Sequence, residues 1–440
     1  MARKKVESLH SEENHDWLVL EEQLKQHGGK LSRSHREWAE LLGSVSPSTI
    51  ARRLRRYEEL GLIRLEKRGK GRYNPVTIYL REFKPEERKL EGISPVTGVV
   101  PLDSKFYIRR DADLTCERVL ASYRNTALPF IRIKGARGLG KTSLLIRLRD
   151  FLENKGHIVG FINLFDISLD SESSITLREL LYQFTYKILQ EFKDHLKEAD
   201  VYEVGNFWRD DIAPGINCTQ YLYKYIFSKI KLSKTLIIDG IDQVIGQESI
   251  QNPFLNLLRT WNETEMKNIG QSEIVWPSII IAYSTDPYPE YGIKGSVLQN
   301  VGIEVGLSEF NSEQILDLVQ KYGLSDLDTS NIQSLISFFG GHPALTNGAL
   351  YKISQEQISL EQLKTQATRL NPFRDFLLKY LEILQKDNNL RSCFQKILSG
   401  EVCKDEFAKF QLEQAGLIKI DDEGARVKLK LYEKYFEETL

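Results

Sequence analysis

Long apolar runs are missing from this 440-residue chain. No stretch approaches the ~20 residues a membrane helix needs, and the Met-Ala-Arg-Lys-Lys start lacks the apolar region of a signal peptide. A cytoplasmic protein with no membrane partner is expected. Cysteine is scarce: Cys116, Cys218, Cys393 and Cys403 are scattered, without metal-ligand pairing. Cys393 and Cys403 stand ten apart, which fits no ligand spacing, so all four are expected to be reduced and structural. A net charge is lacking too, at −1 overall, but the balance hides an asymmetry. Between Lys30 and Lys84 fourteen Lys/Arg face six Asp/Glu, a net +8, and the remainder therefore carries −9. A basic module on an acidic body suggests a polyanionic partner for the module.

What is present centres on one stretch. Phe130, Ile131 and Ile133 read as the end of a buried strand, and Leu144, Leu145 and Leu148 have helical spacing. Between them, Gly135-x-x-x-x-Gly140-Lys141-Thr142 fits the phosphate-binding loop in its strand-to-helix context. Gly135, Gly138 and Gly140 let the backbone wrap closely, so that N–H groups up to Ser143 and the helix N-terminus face phosphates. Lys141 would bridge the β- and γ-phosphates, and the Thr142 hydroxyl would ligate Mg²⁺. The bland alternative is a Gly-rich turn before an ordinary helix. ATP with Mg²⁺ is the expected cofactor.

Upstream, residues 15–26 and 33–42 read as short helices stopped by Gly28-Gly29 and Gly43. Ser46-Pro47 starts a third, with Ser46 as N-cap. It keeps Ile50, Leu54, Tyr57 and Leu60 on one face and places Arg52, Arg53, Arg55 and Arg56 elsewhere around it. Residues 62–66 and 73–80 alternate like a hairpin with a basic tip. Three helices and this hairpin resemble a winged helix-turn-helix of the bacterial regulator kind. The resemblance implies that Ser48, Thr49, Arg52 and Arg53, with Arg56, meet double-stranded DNA through the third helix. Lys67, Arg68, Lys70 and Arg72 would then meet phosphates through the wing. The alternative is a solvated Arg-rich helix in a fold used only for protein contacts.

After a linker with three prolines over 85–104, a βαβ rhythm sets in. Thr235-Leu-Ile-Ile-Asp239 reads as an apolar strand lying beside the loop, its Asp239 holding Mg²⁺ directly or through water. A further strand at 278–283 runs into Ser284-Thr285, a polar sensor near the γ-phosphate. Long helices are expected at 176–197, from 312, at 331–339 and at 344–353. Residues 373–440 read as helices and a hairpin turning at Asp421-Asp-Glu-Gly424, a second winged-helix-like fold. There twelve Lys/Arg face thirteen Asp/Glu, so no polyanion footprint appears.

Taken together these residues resemble the AAA-like ATPase domain common in cyanobacterial signalling proteins, related to the STAND regulatory NTPases. The landmarks are Tyr107-Ile-Arg-Arg110, the phosphate loop, Asp239-Gly-Ile-Asp242, Ser284-Thr285, the Gly-Gly-His342-Pro343 turn and Leu431-Tyr-Glu-Lys-Tyr-Phe436. The resemblance implies an α/β P-loop NTPase core with a helical lid, His342-Pro343 over the nucleotide and the segment ending at Arg110 edging the adenine. It also makes Arg259 a candidate inter-subunit arginine, against an ordinary solvent salt bridge. One departure is plain: many relatives carry Glu after the strand-end Asp to polarise water, and this chain has Gly240. Asp242, two residues further, is the candidate substitute beside Lys141 and Asp239, with a group from a neighbouring subunit as the alternative, and Gly240→Glu would raise turnover if the strand end has room.

The divisions expected are a tail over 1–14, the winged helix-turn-helix over 15–84, the linker over 85–104, the ATPase core over 105–290, the lid over 291–371 and the C-terminal winged-helix-like domain over 372–440. The leading functional expectation is a nucleotide-switched DNA-binding regulator with weak ATPase activity. A DNA-remodelling ATPase of transposition or replication-loader type and a defence or signalling scaffold whose winged helix binds protein stay open. So do a nucleotide-dependent homo-oligomer and an unidentified protein partner.

Overall fold

A computed structural model describes residues 11–26, 30–42, 46–60, 62–67, 76–80, 98–122, 129–167, 175–268, 275–285, 298, 301–324, 327, 329–355 and 358–440. The chain divides into two units, 1–94 and 95–440.

In the first unit, helices α1 (Ser11–Gln26), α2 (His35–Leu41) and α3 (Pro47–Glu59) accompany strands β1 (Lys30–Arg33), β2 (Ile63–Lys67) and β3 (Val76–Leu80). Ser46 caps α3 as expected, its Oγ accepting the Thr49 N–H at 3.2 Å. The expected hairpin strands pair antiparallel, Leu65 opposite Ile78. Strand β1 was not expected. It has one apolar residue, Leu31, and acquires its identity by pairing with β3, Leu31 opposite Ile78, giving the sheet order β1-β3-β2. Trp17, Leu20, Leu24, Trp38, Ile50, Leu54 and Tyr57 form the core with Ile63 and Ile78.

Arg53 corrects the sequence reading. It is 8% exposed and ion-paired with Asp16 of α1, so it faces the core of its own unit rather than DNA. The reason lies in helical spacing: position 53 falls three after Ile50 and four before Tyr57, on the buried stripe.

The second unit is built on five parallel strands: β4 (Phe130–Gly135), β5 (Ile158–Asn163), β6 (Lys234–Asp239), β7 (Ser278–Ser284) and β8 (Ile303–Gly306). Their order is β5-β6-β7-β4-β8. Helices cover both faces, as an all-parallel sheet requires. On one face lie α4 (Asp111–Ser122) and α5 (Lys141–Glu153), packed through Cys116, Leu120, Leu144 and Leu148 on Ile131, Ile133, Ile237 and Ile280. On the other, α6 (Leu177–Phe192), the four-residue α7 (Val204–Phe207), α8 (Pro214–Leu222) and α9 (Glu248–Asn268) meet the alternate positions Leu236, Ile238, Ile279 and Ile281. This is the period-2 alternation of strands buried on both sides.

Two boundaries move. Strand β8 falls in the stretch assigned to the lid, so the sheet extends to Gly306. Helix α6 ends at Phe192 and gives way to a 3-10 turn, Lys193–His195, rather than running to 197. Residues 98–104, expected as linker, are fastened to α5: Ser143 Oγ accepts the Val100 N–H at 2.9 Å, and the Arg147 guanidinium donates to Val100 O at 3.0 Å and Pro101 O at 2.7 Å.

After the sheet come α10 (Ser312–Lys321), α11 (Thr329–Phe339), α12 (Pro343–Gln355) and α13 (Leu360–Gln366). Then follow α14 (Phe373–Lys386), α15 (Asn388–Leu398), α16 (Glu406–Gln414), the antiparallel hairpin β9 (Ile418–Asp421) and β10 (Gly424–Val427), and α17 (Lys430–Thr439). Cys393 and Cys403 are joined by a disulfide, against the expectation of four reduced thiols. The loop after α15 folds back and brings their Cα atoms to 5.3 Å, within bonding range. Cys116 and Cys218 are free and buried, as expected. Among the described residues no helix is long and apolar enough to cross a membrane.

Candidate nucleotide site

Strand β4 delivers the loop at Gly135, and α5 starts at Lys141. Between them Gly138 and Gly140 have φ of +77° and +89°, a region that L side chains avoid. A Cβ on Gly138 would also stand 2.6 Å from His342 Cε1, so the glycine is required by a neighbour as well as by its backbone.

The outer side of the loop is held by donors from four places. Lys141 Nζ donates to Gly135 O at 2.8 Å and Ala136 O at 3.2 Å. His342 Nε2 meets Arg137 O at 2.9 Å, the Ala344 N–H donates to Gly138 O at 3.3 Å, and Arg110 Nη1 donates to Leu139 O at 2.8 Å. Carbonyls 135 to 139 thus all have partners, and a loop so fixed can offer N–H groups to an anion without first reorganising.

His342 is buried and burial pushes it down to about 4, so the ring is neutral. Its Nδ1 takes the Leu345 N–H at 3.4 Å, which assigns the proton to Nε2, facing Arg137 O. Pro343, also buried, opens α12 beside it. Arg110 is 4% exposed and also donates to Ser308 O at 3.1 Å. It braces the loop against the segment after β8.

At the foot of the loop the Thr142 hydroxyl donates to Asp239 Oδ2 at 2.6 Å. Burial raises the Asp239 carboxyl above its ordinary range, and the hydrogen bonds from Thr142 and from the Gly240 N–H, at 2.9 Å, oppose that shift. Strand β6 does not neighbour β4: β7 lies between them, and the contact is made by the strand's end. Two adjacent hard oxygens on a helix start and a strand end fit Mg²⁺, which takes one or two protein ligands and completes its shell with phosphate and water. Among the described residues no cluster of three or more His, Cys, Asp or Glu offers an all-protein cage.

The rest of the sequence-assigned site is tied to backbone. Asp242 Oδ1 accepts the Ser284 N–H at 2.6 Å, so this carboxylate fastens β6's end to β7's. Thr285 donates its hydroxyl to Gln414 O of α16 at 2.5 Å. The Ser143 side chain serves Val100, leaving its backbone for phosphate. Gly240 has φ +75°, which strains any side chain, and a Cβ there would lie 2.6 Å from the exposed Phe165 ring, which would have to move for a Glu to enter. Arg259 pairs with Glu263 at 2.6 Å within α9, the ordinary salt bridge.

In the first unit Ser48, Arg52 and Arg56 are exposed and Thr49 half-buried on α3. Lys67 ends β2, while Arg68, Lys70 and Arg72 lie outside the described residues. Sequence reasoning missed Arg147, whose guanidinium stacks 3.5 Å over the Tyr107 ring while clamping residues 100 and 101. Its signal was a cation on an otherwise apolar-periodic helix. Gln414 had none, because it acts through its carbonyl.

Residues 95–438 match a family described as AAA-like domain. No curated protein matches the chain. Among solved structures, the Walker-type ATPase paby2304 of Pyrococcus abyssi is similar with a TM-score of 0.51 at 14% identity, over 75% of this chain and 96% of that one. AMPPCP-bound DnaA from Aquifex aeolicus gives 0.38 at 18% identity, over 71% and 79%. The Aeropyrum pernix Orc1 protein in complex with DNA gives 0.35 at 12%, over 77% and 95%. The first of these speaks for the fold.

Proposed function

The chain belongs to the AAA-like domain family, and we propose that it is an ATP-binding, nucleotide-switched DNA-binding regulator with weak ATPase activity. The Thr142–Asp239 bond at the foot of a fully braced phosphate loop carries the nucleotide reading. Lys141 would leave the Gly135 and Ala136 carbonyls for the β- and γ-phosphates. Thr142 and Asp239 would hold Mg²⁺, which neutralises phosphate charge when bound. Arg110 and His342 act from outside, keeping the loop's carbonyls turned away from the ligand.

Slow turnover follows from two residues. Gly240 has no side chain, and Asp242 is engaged with the Ser284 N–H. On this reading neither orients an attacking water, and ATP would serve as a long-lived ligand. For ATP to switch anything it must favour one of two conformations. The Thr285–Gln414 bond supports such a difference, because it joins the strand beside the loop to the C-terminal helices.

The DNA part rests on the first unit. Three helices, a three-stranded antiparallel sheet, exposed Arg52 and Arg56, and the local charge excess support a winged helix-turn-helix. Calorimetry of Mg-ATP with the full chain, followed by DNA retention at several salt concentrations with and without ATP, tests both parts. Retention that ignores both salt and ATP would refute the switch.

A further inference from the structure

Strands β5 and β6 end side by side at the foot of the phosphate loop. Asn163, the last residue of β5, stands opposite Asp239, the last of β6, in the parallel register. Phe161 of β5 and Ile237 of β6 pack toward α5, while Ile162 and Ile238 turn to the other side of the sheet. By the same alternation Asn163 and Asp239 share the α5 face, where Asp239 meets the Thr142 hydroxyl. The carboxyl ends of parallel strands are where such a sheet carries its ligand.

The Asn163 amide is set by its own chain. Its Oδ1 accepts the Phe165 N–H at 3.1 Å, at the start of a 3-10 turn over Leu164–Asp166. That donor fixes which end of the amide is the oxygen, and the other end is the NH₂ group. Among the described residues Nδ2 has no partner, and the residue is half-buried. Oδ1 keeps a second lone pair. It lies 3.3 Å from the point where a Cβ on Gly240 would stand, so the amide borders the place from which a side chain after Asp239 would grow. Other polar side chains of the strand ends are engaged: Asp242 accepts the Ser284 N–H, and Thr285 donates to Gln414 O.

We propose that Asn163 orients the attacking water in the slow ATP hydrolysis of this site, the task a carboxylate at position 240 would otherwise perform. The inference rests on the nucleotide reading above and adds a catalytic residue to it. Oδ1 accepts one hydrogen of the water, and Nδ2 donates to a γ-phosphoryl oxygen. The water oxygen bonds to the γ-phosphorus as the bond from that phosphorus to the β,γ-bridging oxygen breaks, and ADP leaves with the electron pair. An amide takes up no proton, so the water's proton passes to a phosphoryl oxygen, and the products are ADP and inorganic phosphate. The absent general base is worth about 10²–10⁴-fold, which is why orientation alone gives a slow enzyme.

The test measures single-turnover phosphate release from γ-labelled Mg-ATP by the full chain, with Mg-ATP affinity from calorimetry alongside. Asn163→Ser keeps an oxygen to accept the Phe165 N–H and removes the amide, whereas Asn163→Ala removes both. Both variants are expected to bind Mg-ATP as the parent does. Both should release phosphate about tenfold or more slowly, against about 10²–10³ for one lost oxyanion-hole donor in a fast enzyme. A residue that only caps the turn gives another pattern, in which Ser keeps the parental rate and Ala alone is slow. That pattern, parental rates in both variants, or loss of Mg-ATP binding in Asn163→Ser would each overturn the proposal. Asn163→Ser decides alone should Asn163→Ala fail to fold. A parent that binds Mg-ATP but releases no phosphate overturns the proposal and leaves the nucleotide reading standing. A parent that binds no Mg-ATP overturns both.

Discussion

Thr285 and Gln414, 129 residues apart, are joined by a 2.5 Å hydrogen bond from the threonine hydroxyl to the glutamine carbonyl. The Thr285 N–H goes at the same time to Gly135 O, at 3.3 Å. A single residue therefore touches both the start of the phosphate loop and the last turn of α16. Thr285→Val keeps the shape and removes the hydroxyl. It is expected to lower stability by about 1 kcal/mol, the net worth of one such bond. Denaturant titration reads that loss, and ATP affinity should change in the same variant. An unchanged midpoint and unchanged affinity would mean that the bond connects nothing.

Lys141→Ala removes the ammonium that reaches phosphate. Mg-ATP binding should vanish in calorimetry while the circular dichroism spectrum stays that of the parent. A variant that binds as tightly as the parent would dispose of the nucleotide assignment.

The exposed and buried arginines of α3 should behave oppositely. Arg52→Ala with Arg56→Ala is expected to weaken DNA binding and flatten its dependence on salt, with little change in melting. Arg53→Ala leaves Asp16 buried without its cation, and is expected to cost about 3 kcal/mol of first-unit stability. Salt titration of DNA binding and thermal melting separate these outcomes. A stable Arg53→Ala protein that has lost DNA binding would reverse the assignment.

Gly240→Glu tests the empty position after Asp239. A side chain there meets φ +75° and the Phe165 ring, so the variant should be destabilised by roughly 1–3 kcal/mol and gain no turnover. Faster phosphate release with parental stability would show that the strand end accommodates it.

The pH dependence comes from His342. Its folded-state pKa is depressed to about 4, from 6.5 in the unfolded chain. The unfolded state therefore takes up the proton first as pH falls. The contribution is complete above about pH 6.5 and is lost progressively down to about pH 4, by as much as about 3 kcal/mol. Stability measured from pH 7 to 4.5 should fall in the parent and fall less in His342→Gln. Parallel curves would place the titration elsewhere.

The phosphate loop and the strands around it were legible because their signals are local. A glycine spacing, a lysine and an apolar strand ending in Asp each declare themselves within a dozen residues. Strands β1 and β8, four residues each, carry no such signal, since pairing with β3 and β4 makes them strands. The Cys393–Cys403 bond is a matter of chain return, which spacing does not encode. Arg53 was readable and misread: its charge suggested a ligand, while its place among Ile50, Leu54 and Tyr57 gave the buried stripe. The partners of Asp242 and Thr285 were out of reach, because both are backbone groups of distant segments.

Lys141 has the widest consequence. Its ammonium already rests on the Gly135 and Ala136 carbonyls, so it does not wait bare for a ligand. Arrival of a nucleotide is then an exchange of acceptors, peptide oxygens for phosphate oxygens. The free energy released at that point is the difference between two satisfied arrangements, smaller than a count of new bonds would imply. The carbonyls released in the exchange are left with one donor each, the Thr285 N–H on Gly135 O and the Leu139 N–H on Ala136 O, both at 3.3 Å, so part of the ligand's grip is decided on the side of the loop it never touches.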